Sequence, residues 1–164
     1  MGTDQARNIK ASMTAMKNRV RGILIKDRER ILLIKRVRPG SQPYWVFPGG
    51  GLENTDESLE AALEREILEE LAGAISIKKL VKVRKVQSND GIVIESFFLC
   101  DVLTYDFSQK TGPEFADSER GEYVLQEIPL RLDTISDLNI LPAELKIFLL
   151  ENVEKLYSLP DLRH

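Results

Sequence analysis

Apolar residues recur at every fourth position between residues 59 and 71, which predicts one amphipathic helix. The apolar stripe consists of Leu59, Leu63, Ile67 and Leu71. Ser58, directly before the stripe, carries a short hydroxyl suited to capping the first turn. A second apolar stripe near the C-terminus predicts a closing helix shortly after Pro142. Its members are Leu145, Phe148, Leu149, Val153 and Leu156.

The remaining apolar positions form shorter runs that read as strands, several of them bounded by turn-forming residues. Two runs separated by the polar residues 27–30 predict a β-hairpin, and Asn89-Asp90-Gly91 predicts a second turn. The predicted strands cover residues 19–25, 31–37, 44–48, 75–86, 92–102 and 123–129. Residues 1–18 show little periodicity and are expected to form a mobile leader or a short helix. Residues 19–160 are then expected to form a single domain.

Composition excludes several classes of protein. A chain of 164 residues that is 43% hydrophobic suits one globular domain. A net charge of −3 gives no basic surface for nucleic acid, and the apolar runs are too short to span a membrane. The only cysteine, Cys100, lies in an apolar run and is expected to be buried. It cannot form an internal disulfide, which agrees with a cytoplasmic location. The only histidine, His164, rules out a conventional zinc site or a histidine base.

The polar face of the predicted 59–71 helix is strongly acidic. Residues 57–70 contain six glutamates and only one cation, Arg65. The glutamates are Glu57, Glu60, Glu64, Glu66, Glu69 and Glu70. Like charges four residues apart cost roughly 0.2–0.5 kcal/mol per pair. Glu66, Glu69 and Glu70 project from one side, and their oxygens suit Mg²⁺ or Mn²⁺. A simple solvated acidic face is the alternative, and the helix alone does not decide between the two.

Three consecutive glycines, Gly49, Gly50 and Gly51, follow the predicted strand at residues 44–48 and precede the acidic helix. Glycine lets the backbone pass close to a ligand and adopt positive φ angles. A strand, a glycine turn and a carboxylate helix in this order predict a site for phosphate and metal.

This stretch resembles the signature of the Nudix hydrolases, G-x5-E-x7-R-E-U-x-E-E-x-G-U, where U is a bulky aliphatic residue. The matching positions are Gly51, Glu57, Arg65, Glu66, Ile67, Glu69 and Glu70. The signature's second glycine falls on Ala72 and its last aliphatic position on Gly73. The loop between the glycines and Glu57 is also one residue longer than usual. Alignment on the glycine pair would therefore make Gly50 the equivalent glycine.

The resemblance implies an α/β fold, the Nudix α/β/α sandwich with a mixed β-sheet. It implies hydrolysis of a phosphoanhydride bond in a nucleoside diphosphate linked to another moiety, with Mg²⁺ or Mn²⁺ as cofactor. Nucleoside triphosphates are the default substrate. Glu66, Glu69 and Glu70 would act as metal ligands or base, and the carbonyl of Gly49 would complete the metal shell. Arg65 would pair with Glu57 and brace the loop onto the helix.

Other expectations rest on less specific signals. The resemblance suggests a further catalytic glutamate from the polar loop at residues 104–122, with Glu119 preferred over Glu122. Arg36 and Arg38 either hold substrate phosphate or only keep the surface soluble. The competing functional class is a non-catalytic nucleotide-binding or regulatory module with the same fold. A purely structural acidic domain would bind no divalent metal at all. The sequence leaves a homodimer open.

Overall fold

The computed structural model describes residues 16–107 and 121–164. Within these ranges the strands are β1 Lys17–Lys26, β2 Arg30–Val37, β3 Tyr44–Val46, β4 Gly49–Gly51, β5 Ala74–Ser88, β6 Gly91–Thr104 and β7 Glu122–Pro129. The helices are α1 Leu59–Leu71, α2 Leu132–Ser136 and α3 Ala143–Asn152, and a 3-10 turn follows at Leu156–Ser158. Residues 1–15 of the expected leader and the candidate Glu119 lie outside the described residues.

The strands form one mixed sheet in the order β3-β2-β1-β6-β5. Strands β1 and β6 are parallel, whereas β1–β2, β2–β3 and β5–β6 are antiparallel. Strand β7 pairs with β2, and the short β4 pairs with the beginning of β1. The expected mixed sheet is confirmed.

A hydrophobic core covers each face of the sheet. On one face, Leu63 and Ile67 of α1 pack against sheet residues such as Leu24 and Phe98. On the other face, Leu145 and Leu149 of α3 belong to a cluster that includes residues of β1, β2 and β6. Helices therefore lie on both faces, and the expected α/β/α sandwich is confirmed.

The predicted hairpin is present, and its turn contains two residues with left-handed backbone conformation. Asp27 and Arg28 have φ angles of 55° and 60°, and the N–H of Glu29 donates to the carbonyl of Lys26 at 3.1 Å. Positive φ at both central residues gives a turn whose twist matches that of the flanking strands. Strand β1 begins at Lys17, two residues earlier than predicted and inside the segment assigned to the leader. The turn before Gly91 is also present, and the strands that flank it are longer than predicted.

Two expectations about local structure were wrong, and one short helix was missed. The three glycines form the extended strand β4 and not a turn, because their backbone pairs with β1. The closing helix ends at Asn152, so Val153 and Leu156 lie beyond it, although Leu156 is still buried in the core. No apolar stripe predicts the short helix α2, because it has only one buried residue, Ile135.

Cys100 is fully buried in β6, as expected. Burial raises the pKa of its thiol well above the usual range. None of the helices in the described ranges is both long enough and apolar enough to cross a membrane.

Candidate active site

Helix α1 begins and packs as its sequence predicts. The hydroxyl oxygen of Ser58 accepts a hydrogen bond from the backbone N–H of Ala61 at 3.0 Å, which satisfies a donor of the first turn. Leu63, Ile67 and Leu71 are buried beneath the helix. Because these side chains fix the helix on the sheet, Glu66, Glu69 and Glu70 line the adjoining cavity.

The backbone of the glycine strand β4 lies so close to its neighbours that side chains on Gly49 and Gly50 would not fit without displacing them. A Cβ atom on Gly49 would lie 2.0 Å from the carbonyl oxygen of Val20, and Gly49 has a φ of +146°. A Cβ atom on Gly50 would lie 2.4 Å from the carboxyl carbon of Glu66. By contrast, nothing lies within 4 Å of the corresponding position on Gly51. The first two glycines therefore let the backbone approach β1 and α1 closely.

The peptide groups of Gly49 are held from two sides. Its N–H donates to Oε1 of Glu70 at 3.0 Å, and its carbonyl oxygen accepts from Nη1 of Arg21 at 3.1 Å. Glu70 is only 6% exposed, so this hydrogen bond is shielded from water. Arg21 is anchored in turn by Glu95, whose carboxylate lies 3.2 Å from the Arg21 Nε. Glu70 is thereby tied to the strand that carries the candidate carbonyl ligand.

Arg65 connects the loop after β4 to the acidic helix. Its Nε and Nη2 donate to the two carboxylate oxygens of Asp56 at 3.0 and 2.9 Å. Nη2 also donates to the carbonyl of Gly51 at 3.0 Å. Nη1 donates to Glu66 at 3.1 Å and to both carboxylate oxygens of Glu69 at 3.3 Å. These hydrogen bonds, above all those to Asp56, raise the pKa of Arg65.

The predicted pairing of Arg65 with Glu57 was wrong, because Asp56 takes that place. Alignment on the glycine pair explains the difference, since Asp56 lies six residues after Gly50 as Glu57 lies six after Gly51. The additional loop residue moves Glu57 into an exposed position directly before the helix cap. Hydrogen bonds from Arg65 lower the pKa of Asp56, which favours the charged pair.

A cavity of about 440 Å³ is lined by side chains of both charges, here called its acidic wall and its basic wall. The acidic wall contributes four carboxylates: Glu53, Glu66, Glu69 and Glu70. The basic wall contributes Arg19 and Arg21 from β1, Arg36 from β2, and also Tyr123 from β7. The sequence interpretation missed Arg19 and Arg21. Their alternation within an otherwise apolar strand is the signal that marks them, because residues two apart share one face of a strand.

The other candidate residues are only partly brought together. Gly49, Gly50, Gly51 and Arg36 line the cavity with the three glutamates. Arg38 does not line it and is exposed beyond the end of β2. Glu122 opens β7 opposite Val37, also in an exposed position.

The donors at the acidic wall fit a divalent cation in their chemistry. Carboxylates of Glu66, Glu69 and Glu70 and the Gly49 carbonyl are hard oxygen ligands that line one cavity, as Mg²⁺ and Mn²⁺ prefer. Among the described residues, however, no group of three acidic, histidine or cysteine side chains is already arranged to hold an ion. Glu66 and Glu69 are instead hydrogen-bonded to Arg65, so a cation would have to compete with its guanidinium.

The sandwich fold and the carboxylate helix beside a glycine strand define one class of protein, the Nudix fold. A family model described as the NUDIX domain matches residues 16–143. The chain therefore belongs to the NUDIX domain family, which confirms the resemblance seen in the sequence.

Individual relatives agree with this assignment. An ADP-ribose pyrophosphatase from Methanocaldococcus jannaschii is 35% identical over 102 residues, which cover 61% of this chain and 58% of the relative. The match thus spans less than two thirds of that curated relative. The crystal structure of a MutT NUDIX hydrolase from Burkholderia pseudomallei is 25% identical, with a TM-score of 0.58 over 83% of this chain and 96% of that chain.

A NUDIX hydrolase from Nitrosomonas europaea superimposes with a TM-score of 0.60. The alignment covers 83% of this chain and 86% of that chain at 20% identity, and this likeness shows the fold alone.

Proposed function

We propose that the protein is a divalent-metal-dependent pyrophosphohydrolase. It cleaves a phosphoanhydride bond in a nucleoside diphosphate linked to another moiety, with nucleoside triphosphates as the leading substrate class. The observation that carries this proposal is the single cavity that Glu66, Glu69 and Glu70 line together with three arginines. The names of the relatives, an ADP-ribose pyrophosphatase and a MutT NUDIX hydrolase, support the same reaction class.

Glu66, Glu69, Glu70 and the Gly49 carbonyl would hold the cation. Bound there, Mg²⁺ or Mn²⁺ would supply neutralisation of the phosphate charge and activation of water for attack on phosphorus. Without a cation, the four carboxylates of the acidic wall repel a polyphosphate. The acidic wall therefore makes a metal a requirement for substrate binding as well as for hydrolysis.

The chain's own residues keep this wall in place. Arg65 retains Asp56 and the Gly51 carbonyl as partners when Glu66 and Glu69 turn to a cation, so the loop stays braced on α1. Glu70 is oriented by the N–H of Gly49. The general base is Glu66, Glu69 or Glu70 at the cavity, or Glu119, which lies outside the described residues.

A second cavity offers a place for the nucleoside. It has a volume of about 380 Å³ and shares Arg21, Val46 and Phe47 with the charged cavity. Its lining is mainly apolar and includes Phe97 and Pro142. A nucleotide has a charged end and a flat, less polar end, and two adjoining cavities of matching character suit both.

Replacing Glu69 with Gln tests the proposal, with Glu64→Gln as the matched control. Both residues lie on α1, but Glu64 is exposed and does not line the cavity. With Mg²⁺ and a panel of nucleoside diphosphate derivatives, Glu69→Gln should lower kcat by roughly 10²–10⁴-fold. The free energy of unfolding should change little, because the substitution removes the ion pair with Arg65 but also the like-charge repulsion from neighbouring glutamates. Unchanged turnover in folded Glu69→Gln would refute the assignment.

The same panel separates the competing classes. Calorimetry that detects binding of Mg²⁺ and nucleotide, without any product on chromatography, would favour a non-catalytic binding module. Absence of divalent-metal binding would favour a purely structural acidic face. The phosphate product that appears identifies the bond that is cleaved.

A further inference from the structure

Arg36 lies in the middle of a row of three side chains that crosses three strands. On β2 it is paired directly with Tyr44 of β3 and with Tyr123 of β7. Directly paired residues of antiparallel strands project from the same face of a sheet. Both tyrosines therefore lie on the same side of the sheet as Arg36.

The guanidinium contacts both aromatic rings. Its central carbon lies 4.1 Å from the ring centroid of Tyr123 and 5.8 Å from that of Tyr44. Both distances are within the range of cation–π attraction. Such contacts restrict a planar guanidinium and so pre-organise its fork of N–H donors.

One of these donors has no partner. The Nε of Arg36 is buried, and no hydrogen-bond acceptor reaches it among the described residues. A buried donor without an acceptor is unfavourable, and a ligand oxygen that fills the position recovers that loss. Arg21, on the same wall, already donates to Gly49, Phe47 and Glu95. Arg36 also lines the cavity, so a small turn of its side chain would bring this unused donor to a ligand oxygen there.

We propose that Arg36, positioned by Tyr44 and Tyr123, binds the third phosphate of a nucleoside triphosphate and selects triphosphates over nucleoside diphosphate sugars. This inference rests on the proposed function, because it assigns one phosphate within the same cavity. The two phosphates that flank the cleaved bond are both needed at the carboxylate wall, where the cation is held. A third phosphate carries additional negative charge, and none of the residues of the acidic wall is a cation. Arg36 on the basic wall supplies one.

The chemistry of the fork agrees with this ligand. Arginine binds phosphate oxygens through two parallel N–H bonds, whereas the ring of a sugar offers only neutral hydroxyls. Lysine keeps the charge but lacks both the planar fork and Nε. Arg36→Lys therefore isolates the geometry of the fork from its charge, and Arg131→Lys on the exposed surface is the matched control.

The test compares two substrates in each variant: a nucleoside triphosphate and ADP-ribose, both with saturating Mg²⁺. Arg36→Lys should lower kcat/KM for the triphosphate by about tenfold or more, mainly through KM. For ADP-ribose, Arg36→Lys should change kcat/KM by less than about threefold. The control Arg131→Lys should leave kcat/KM unchanged for both substrates. Tyr123→Leu should shift the ratio of the two kcat/KM values in the same direction as Arg36→Lys, because the fork loses its aromatic support.

An equal loss on both substrates, or no loss on either, would overturn the role of Arg36 while leaving the hydrolase proposal intact. If the wild-type protein hydrolyses neither substrate, calorimetry with non-hydrolysable analogues of both still decides. A weakened Kd in Arg36→Lys for the triphosphate analogue alone supports the inference, and equal Kd changes refute it. Thermal denaturation of each variant shows whether a loss reflects unfolding.

Discussion

Glu70 accepts a buried hydrogen bond from the backbone N–H of Gly49, which joins the acidic helix α1 to the glycine strand β4. Glu70 contributes to the stability of the fold through this hydrogen bond and is also a proposed metal ligand, and two substitutions separate these roles. Glu70→Gln keeps an oxygen that accepts this N–H, so the free energy of unfolding should stay close to that of the wild type. Glu70→Ala leaves the N–H without a partner and should destabilise the fold by about 1–3 kcal/mol.

Both Glu70 variants should lose hydrolytic activity and affinity for Mn²⁺, because the proposed ligand is gone. Urea denaturation and calorimetric titration with Mn²⁺ measure the two effects independently. Equal stability of the Gln and Ala variants would show that the Gly49 contact contributes nothing to the fold.

The neighbouring glycine gives a prediction about the position of a carboxylate. In Gly50→Ala the new methyl group would meet the carboxylate of Glu66, with 2.4 Å to its carbon. The end of a glutamate side chain moves at little cost, so the melting temperature should change only slightly. The displaced carboxylate should nevertheless lower Mn²⁺ affinity and kcat by roughly 10–100-fold.

Gly51→Ala is the control for Gly50→Ala, because nothing lies within 4 Å of its Cβ position. Its loss of Mn²⁺ affinity, measured by the same titration, should be much smaller. Similar losses in both variants would mean that flexibility of β4, and not the contact with Glu66, sets the effect.

These contacts also show which parts of the site can be predicted from short stretches of sequence. Apolar spacing and the Ser58 cap predict α1, because both signals act within one or two turns of a helix. The pairing of β4 with β1 depends on residues about 30 positions apart in the chain, such as Gly50 and Val20. Three glycines have no side chains to reveal that pairing, so they were predicted as a turn.

For residues on the basic wall, too, the sequence indicates candidates, but their contacts depend on distant parts of the chain. Arg36 was a candidate from the sequence, but its place beside Tyr123 depends on β7 pairing with β2 across most of the chain. Arg21 was missed because its role requires Gly49 and Glu95 to converge on it from two other strands. Such convergence is a property of the sheet order, which local patterns do not encode.

The partner of Arg65 can be tested through the dependence of stability on pH. Arg65 lowers the pKa of Asp56 in the folded protein. A carboxylate with a lowered pKa stabilises the fold above its unfolded pKa, and this contribution disappears as the pH falls through the folded pKa. The wild type should therefore lose this contribution below about pH 4. Asp56→Asn should be less stable at pH 7 and should lack that part of the acid dependence.

Glu57→Gln is the control for Asp56→Asn, since Glu57 is exposed and makes none of the hydrogen bonds described for Arg65. Urea denaturation of both variants between about pH 3 and pH 7 provides the comparison. A larger effect of Glu57→Gln than of Asp56→Asn would restore the pairing that the sequence signature predicts.

The end of α1 contains a strained residue whose replacement should stabilise the protein. Ala72 has φ 48° and ψ 41°, a left-handed conformation that glycine adopts without a Cβ clash. The following Gly73 cannot exchange places with it, because a Cβ on Gly73 would lie 2.9 Å from the carbonyl oxygen of Thr104. Ala72→Gly should raise the free energy of unfolding by about 0.5–1 kcal/mol, the relief of strain less the added freedom of the unfolded chain.

Ala61→Gly, inside the same helix, should have the opposite sign and lower the free energy of unfolding by about 1 kcal/mol. Urea denaturation of the two variants therefore distinguishes conformational strain from a general effect of glycine. Ala72 has a left-handed backbone, whereas Ala61 lies within the helix. Destabilisation by both substitutions would mean that Ala72 is not strained, and that the helix ends in solution with a different backbone geometry. Since Ala72 lies two residues after Glu70, Mn²⁺ affinity of Ala72→Gly then reports whether the helix end also helps to position the acidic wall.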